Sequence, residues 1–346
     1  MSAGIITRQD LEAEERTRLS SRAAFVEATR GRARPIELDP YRTEFQRDRD
    51  RILHCKAFRR LSHKTQVFLA PEGDHYRTRL THTLEVAQIA RSIARALRLN
   101  EDLTEAIALG HDLGHTPFGH IGEDAIGAIL TELKDQYPQA PRRFRHNLQS
   151  LRIVEELEYD GKGLNLTWEV RDGIEHHTGK DKATTLEGQI VAIADRIAYV
   201  NHDIDDAMRG ELLLETELPQ GPTDILGHSH GARITTMVQD MVESSVEADD
   251  IRMSPRVWDA MMDLRTFLFE NVYLSERAKA EEPKAYGVVQ ALFRHYLENP
   301  GGLPQEFQPI TDDELPQRIT DYIAGMTDRF AIRAYERLFV PRNWMF

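Results

Sequence analysis

Residues 110–120, Gly-His-Asp-Leu-Gly-His-Thr-Pro-Phe-Gly-His, set the strongest constraint on how this chain folds. Gly110, Gly114, Pro117 and Gly119 cannot sustain regular structure through the stretch, so it has to be a tight loop between two elements. The loop carries Asp112 and the histidines 111, 115 and 120. Adjacent His111 and Asp112 offer an imidazole nitrogen and a carboxylate oxygen, a mixed donor set suited to a divalent cation. Consecutive side chains on a helix point about 100° apart. The pair can therefore share an ion only at a helix end or in a cleft, and the glycine supplies such an end. Two further donors come from elsewhere: His82, which opens an apolar-periodic segment, and Asp195, inside the apolar run 190–196. Together His82, His111, Asp112 and Asp195 neutralise a divalent cation and leave positions for water and a phosphate oxygen, the arrangement of metal-assisted hydrolysis. Ten of the fourteen histidines fall between residues 54 and 177, which concentrates the chemistry in that half.

The surrounding pattern is helical, and the expected fold class is all-α. Val86, Ile89, Ile93 and Leu97 form one stripe at helical spacing. Asn100 reads as an N-cap with Glu101 and Asp102 in the first turn. That helix is expected to run to about Asp112, and the next to start near Ile121. Further helices are expected over 146–160, 167–177, 186–209, 231–246, 255–273, 284–298 and 312–338. Residues 8–30 read as helical until Gly31 and Pro35. Strand signals reduce to one small hairpin arm over 67–74. Pro219, Gly221, Pro222 and Gly227 mark 216–230 as a long loop. The expected organisation is an N-terminal arm (1–40), a helical core (41–215) whose site is built between helices, and a C-terminal helical region (216–346) packed on that core.

Charge narrows the partners. The net charge of −13 repels polyanions, so a phosphate-rich ligand needs a locally basic surface. Residues 42–64, with eight Lys/Arg against three Asp/Glu, are one candidate. The single cysteine, Cys55, excludes an intramolecular disulfide and fits a reducing compartment. No apolar run reaches about eighteen residues and no charged-then-apolar leader opens the chain. A cytoplasmic protein without a membrane span is the expectation.

Several longer words carry a resemblance. His82, His111-Asp112 and Asp195 resemble the metal-binding signature of the HD-domain phosphohydrolases. The words Phe58-Arg59-Arg60-Leu61, Lys64-Thr65-Gln66-Val67-Phe68 and Arg77-Thr78-Arg79-Leu80-Thr81-His82-Thr83 are similar to those of its deoxynucleoside triphosphate triphosphohydrolase branch, the bacterial dGTPase-like proteins. The 110–120 loop, Gly122-Glu123, His146-Asn147-Leu148-Gln149-Ser150 and Asp195-Arg196-Ile197-Ala198-Tyr199 extend the match, which is strongest over about residues 30–210.

The resemblance implies an HD-domain helical bundle with additional C-terminal helices. It implies that His82, His111, Asp112 and Asp195 ligate the metal. His115, His120, Glu123 and His146 would act around the α-phosphate, Arg79 and Arg196 on phosphate oxygens, Gln66 and Asp203 on the sugar 3′-hydroxyl, and Tyr199 beside the sugar. The implied reaction cleaves a dNTP to deoxynucleoside and intact triphosphate. A histidine such as His120, paired with Glu123, would protonate the leaving 5′-oxygen. The implied cofactor is a divalent ion, manganese or magnesium first, with iron, cobalt, nickel and zinc also compatible. The implied partners are a homo-oligomer such as a hexamer, a nucleotide effector and weakly bound single-stranded DNA.

Two alternatives stand beside this reading. One is another HD phosphohydrolase, a nucleotidase or an alarmone hydrolase. The other is a nucleotide or single-stranded DNA sensor without turnover. His54, His63 and His75 read as non-ligands, His176-His177 as a surface or helix-end pair, and His228-Ser229-His230 as a turn.

Overall fold

Side-chain caps cut this chain into helices. The computed structural model describes residues 4–66, 77–210, 212–273 and 276–341. Thr7, Thr43 and Thr78 close capping boxes, each bonding the third residue of the helix it starts. Asn100, Thr185, Ser229, Ser254 and Thr327 each accept a first-turn N–H. The resulting helices are α1 (Arg8–Arg18), α2 (Glu44–His54), α3 (Lys56–Arg60), α4 (Arg79–Ala96), α5 (Glu101–Gly110), α6 (His120–Leu133), α7 (His146–Arg152) and α8 (Trp168–Glu175). They continue as α9 (Leu186–Arg209), α10 (Gln220–Leu226), α11 (His230–Ser245), α12 (Pro255–Leu268), α13 (Glu276–Glu298), α14 (Leu315–Ala324) and α15 (Asp328–Phe339). Among the described residues there is no strand, only the isolated bridges Arg32–Thr167 and Thr65–Thr78. The expected hairpin over 67–74 lies in the stretch 67–76, outside the described residues. The fold is all-α.

The central helix is α5. It packs against α2, α4, α8 and α9, and of residues 103–110 only Glu105 escapes full burial. Ile107 is fully buried, and removing its side chain would cost about 2–5 kcal/mol. Two apolar clusters fill the molecule. The first runs from Leu19 to Val272 and joins the helices around α5 to α11 and α12. The second joins α6 to α13, α14 and α15. Leu113 belongs to the first and Phe118 to the second, so the 110–120 loop is the seam between them.

Several expected boundaries move. The helix expected over 146–160 is α up to Arg152, passes into a π turn over Ile153–Leu157, and then reverses at Tyr159 and Asp160, both with left-handed φ. The helix expected over 312–338 is broken at Gly325–Thr327, where Thr327 restarts α15. The expected loop over 216–230 holds α10, preceded by Pro219 and ended by Gly227 at φ 110. Residues 8–30 form a helix only to Arg18 and then lie on the core. There Arg22 bonds the carbonyls of Ser245 and Val246, and Asn100 Nδ2 donates to Glu15 Oε1 at 2.9 Å. None of the described helices is long and apolar enough to cross a membrane.

Candidate active site and metal centre

Three helices deliver the donors. Thr78 caps α4 and sets His82 in its first turn. His111 follows Gly110 at the end of α5, still in helical conformation. Asp195 lies midway along α9, whose Val191, Ala194, Ile197 and Ala198 are fully buried and fix the helix's rotation. His82 Nε2 is 3.0 Å from Asp195 Oδ1, and His111 Nε2 is 3.7 Å from the same oxygen and 3.6 Å from Asp112 Oδ1. Ligand atoms of His82, His111 and Asp112 all lie within 4.8 Å of one another. The structure thus brings the four sequence-selected donors together.

The atoms are also prepared for a cation. His111 Nδ1 bonds the Ala108 carbonyl at 2.6 Å, which places the ring proton there and turns the Nε2 lone pair inward. That Nε2 is fully buried and has no hydrogen-bond partner. The carbonyl end of α5 also points here and favours positive charge. Burial opposes ionising Asp112, but His111 and Arg79 outweigh it and hold the carboxyl well below its ordinary range. Asp195 behaves alike: burial is overcome by the nearby His111 imidazole and by the hydrogen bond from His82. Burial also opposes a charge on His111, yet Asp112 and Asp195 lift its pKa to about 9. An imidazole drawn towards protonation by two carboxylates occupies the electrostatic position a metal ion would fill.

The loop is held by close backbone contact. A Cβ on Gly114 would stand 2.2 Å from the Ser150 nitrogen, so only glycine lets the loop touch α7. Gly114 N donates to Ser150 Oγ at 2.8 Å, and that hydroxyl donates to the His111 carbonyl at 2.7 Å. Phe118 and Gly119 both take left-handed φ, and Asp328 anchors them by accepting the Phe118 N–H at 3.0 Å. Lys64, buried, donates to the His115 and Ala324 carbonyls.

Around the donors lies a cavity of about 420 Å³. Its wall contains Gln66, Arg79, His115, His120, His146, Arg196 and Tyr199 from the sequence-selected set. Arg79 Nη1 is engaged with Asp112 Oδ2 at 2.7 Å, while its Nε has no partner. Arg196 has no ion-pair partner among the described residues and lies 5.7 Å from the Trp258 ring. Gln66 Oε1 is buried without a hydrogen-bond partner among the described residues. Asp203 is not on the wall: it is fully buried one turn beyond Tyr199 on α9, with a pKa pushed well up by burial and by Asp206.

At the rim, Glu123 serves two imidazoles. Its Oε2 is 3.0 Å from His146 Nδ1 and 3.6 Å from His120 Nδ1. Burial opposes its charge, but these two partners hold its pKa at about 2. The His120 side chain is 63% exposed, and the His115 ring stacks on His146 at 4.1 Å. Burial, reinforced by Arg79 and His146, keeps His115 neutral.

The structure adds residues that sequence reasoning left aside. His177 is buried, its ring 5.0 Å from His111 and its Nε2 3.3 Å from His146 Nε2. It does follow a helix end, but α8 ends pointing into the cavity. Trp258, Met262 and Arg265 of α12 close the far wall and had no motif to mark them. His54 and His63 are exposed and away from the cavity, His75 lies outside the described residues, and His228 and His230 pair with Asp224 and Asp205.

A helical core bearing this donor set defines a class. Residues 79–200 match the HD domain, a family of proteins that bind divalent metals, and residues 251–337 match the phosphohydrolase-associated domain. The chain is 57% identical over 327 residues to the "Deoxyguanosinetriphosphate triphosphohydrolase-like protein" of Caldanaerobacter subterraneus subsp. tengcongensis, covering 94% of each chain. It is 48% identical to the protein of that name from Desulfatibacillum aliphaticivorans, covering 96% of this chain and 98% of that one. For the Clostridium perfringens SM101 protein of that name the figures are 45%, 98% and 99%. The chain belongs to the deoxyguanosinetriphosphate triphosphohydrolase-like family of HD phosphohydrolases.

Proposed function

We propose that this protein hydrolyses deoxynucleoside triphosphates, dGTP or several dNTPs, to deoxynucleoside and triphosphate, with a divalent ion held by His82, His111, Asp112 and Asp195. The observation that carries the proposal is the His111 Nε2, buried with no hydrogen-bond partner among the described residues, set behind Asp112 and Asp195, two ionised carboxylates that line an arginine-bearing cavity. Manganese or magnesium is the proposed ion. Once bound, it supplies polarisation of a phosphate oxygen and a more acidic water.

The chain's own groups supply the rest. Arg196 and Arg265 have guanidinium forks available to the polyphosphate, and Arg79 holds Asp112 in place while keeping its Nε for an α-phosphate oxygen. Tyr199 and Gln66 face the sugar, with Asp203 behind Tyr199. His120, backed by Glu123 at 3.6 Å, hands a proton to the leaving 5′-oxygen, and His146 and neutral His115 line its path. A cytoplasmic homo-oligomer, a nucleotide effector and weak single-stranded DNA binding belong to the same reading.

The test incubates each of the four dNTPs with the protein and manganese and separates the products. Deoxynucleoside with intact triphosphate is expected. Release of monophosphate, pyrophosphate or orthophosphate would make this a different HD phosphohydrolase. Binding of labelled dNTP without any product over hours would make it a sensor.

A further inference from the structure

A histidine can present a neutral imidazole lone pair to a metal only when its other ring nitrogen carries the single ring proton and a partner accepts a hydrogen bond from it. For His111 the Ala108 carbonyl does this. Among the described residues His82 has no carbonyl or carboxylate in that role. Its Nδ1 faces Nδ1 of His202, 3.4 Å away, with the rings edge to face. His202 is 1% exposed, comes from α9 two turns beyond Asp195, and does not line the cavity.

Two ring nitrogens at this distance must not both carry hydrogen. If His82 Nδ1 holds the proton, His202 Nδ1 must accept it, and the proton of His202 must sit on Nε2. There Glu85 waits, with Oε2 2.9 Å from His202 Nε2, off the axis of a straight bond. The other Glu85 oxygen lies 3.3 Å from Arg77 Nε, and Arg77 also reaches Asp206 at 3.0 Å and Asp205 at 3.4 Å. Beyond them, His230 holds Asp205 at 3.0 Å. Arg77 therefore holds the carboxylate beside His202 through its other oxygen.

We infer that His202, held in its Nε2–H form by Glu85, is the positioning residue that makes His82 an Nε2 donor to the divalent ion. The inference rests on the proposed metal site. It assigns to His202 and Glu85 the task that a carboxylate or carbonyl performs behind most metal-bound histidines, where loss of the partner typically weakens metal binding 10–100-fold.

The test uses the full chain loaded with cobalt(II), reading the dissociation constant by chelator competition and the ring N–H protons by their metal-shifted NMR signals. Two slowly exchanging N–H signals are expected, from His82 and His111. His202→Phe keeps a ring but removes the acceptor, so it should weaken cobalt about 10–100-fold and lose one signal. His202→Asn restores an acceptor near Nδ1 and should recover affinity and the second signal. Glu85→Gln leaves His202 in place, covers the event that the Phe variant fails to fold, and should give a smaller loss in the same direction. The inference is overturned if His202→Phe, or Glu85→Gln where the former is unfolded, binds cobalt as the parent does with both signals intact. If the parent itself takes up cobalt without any shifted imidazole signal, the metal site fails, and this inference with it.

Discussion

The floor and the rim of the cavity are built by opposite rules. On the floor, His82 and His111 are buried and each has one nitrogen tied behind it, so only one orientation serves. At the rim, His120 is mostly exposed, its nearest carboxylate is 3.6 Å away, and that carboxylate is shared with His146. A metal ligand must offer a fixed lone pair, whereas a proton donor must exchange its proton with solvent at each turnover. Burial suits the first task and exposure the second.

Removing a floor residue should therefore do more than removing a rim residue. His111→Ala or Asp195→Asn is expected to abolish metal retention and reduce dNTP hydrolysis to background, read by metal analysis of the purified protein alongside the product assay. A variant that keeps stoichiometric metal and activity would erase the distinction between floor and rim. His120→Ala should retain the metal and lower kcat by about 10²–10⁴-fold. Turnover at the parental rate would remove His120 from the proton-donor role and shift attention to His146, the closer partner of Glu123.

The two zones are not equally legible in the sequence. Glycine, proline and histidine chemistry marks the 110–120 loop from its residues alone, and the stripe on α4 and the cap at Asn100 place α4 and α5. What escapes depends on three-dimensional approach. His177 looks like any histidine after a helix, because nothing local says that α8 ends against His111. His202 lies on a long amphipathic helix where a buried histidine is unremarkable in sequence. The α12 wall of Trp258, Met262 and Arg265 comes from a segment whose only signal is helical spacing. The boundary errors share a cause too. Tertiary partners restart or end helices at 158–161 and 325–327, as where Glu158 accepts the backbone N–H groups of Lys56 and Ala57.

The smallest expected effect concerns Glu123, which joins the two zones through His146. Its pKa is held at about 2 against an ordinary 4.5. A depressed carboxyl contributes stability that is fully present above about pH 4.5 and is lost as pH falls through 2. The shift corresponds to roughly 3 kcal/mol at most, since each pKa unit is worth about 1.4 kcal/mol. Glu123→Gln has no such charge to lose. The Tm gap between parent and variant should accordingly be larger at about pH 5 than at about pH 2 and close as the pH falls towards 2, titrating groups distant from Glu123 cancelling because both proteins carry them unchanged. Above pH 5 the variant should also turn over more slowly while retaining its metal. A Tm gap that stays constant from pH 6 to 2.5 would mean that Glu123 is not held ionised by His146 and His120, and the rim would then be less organised than its distances imply.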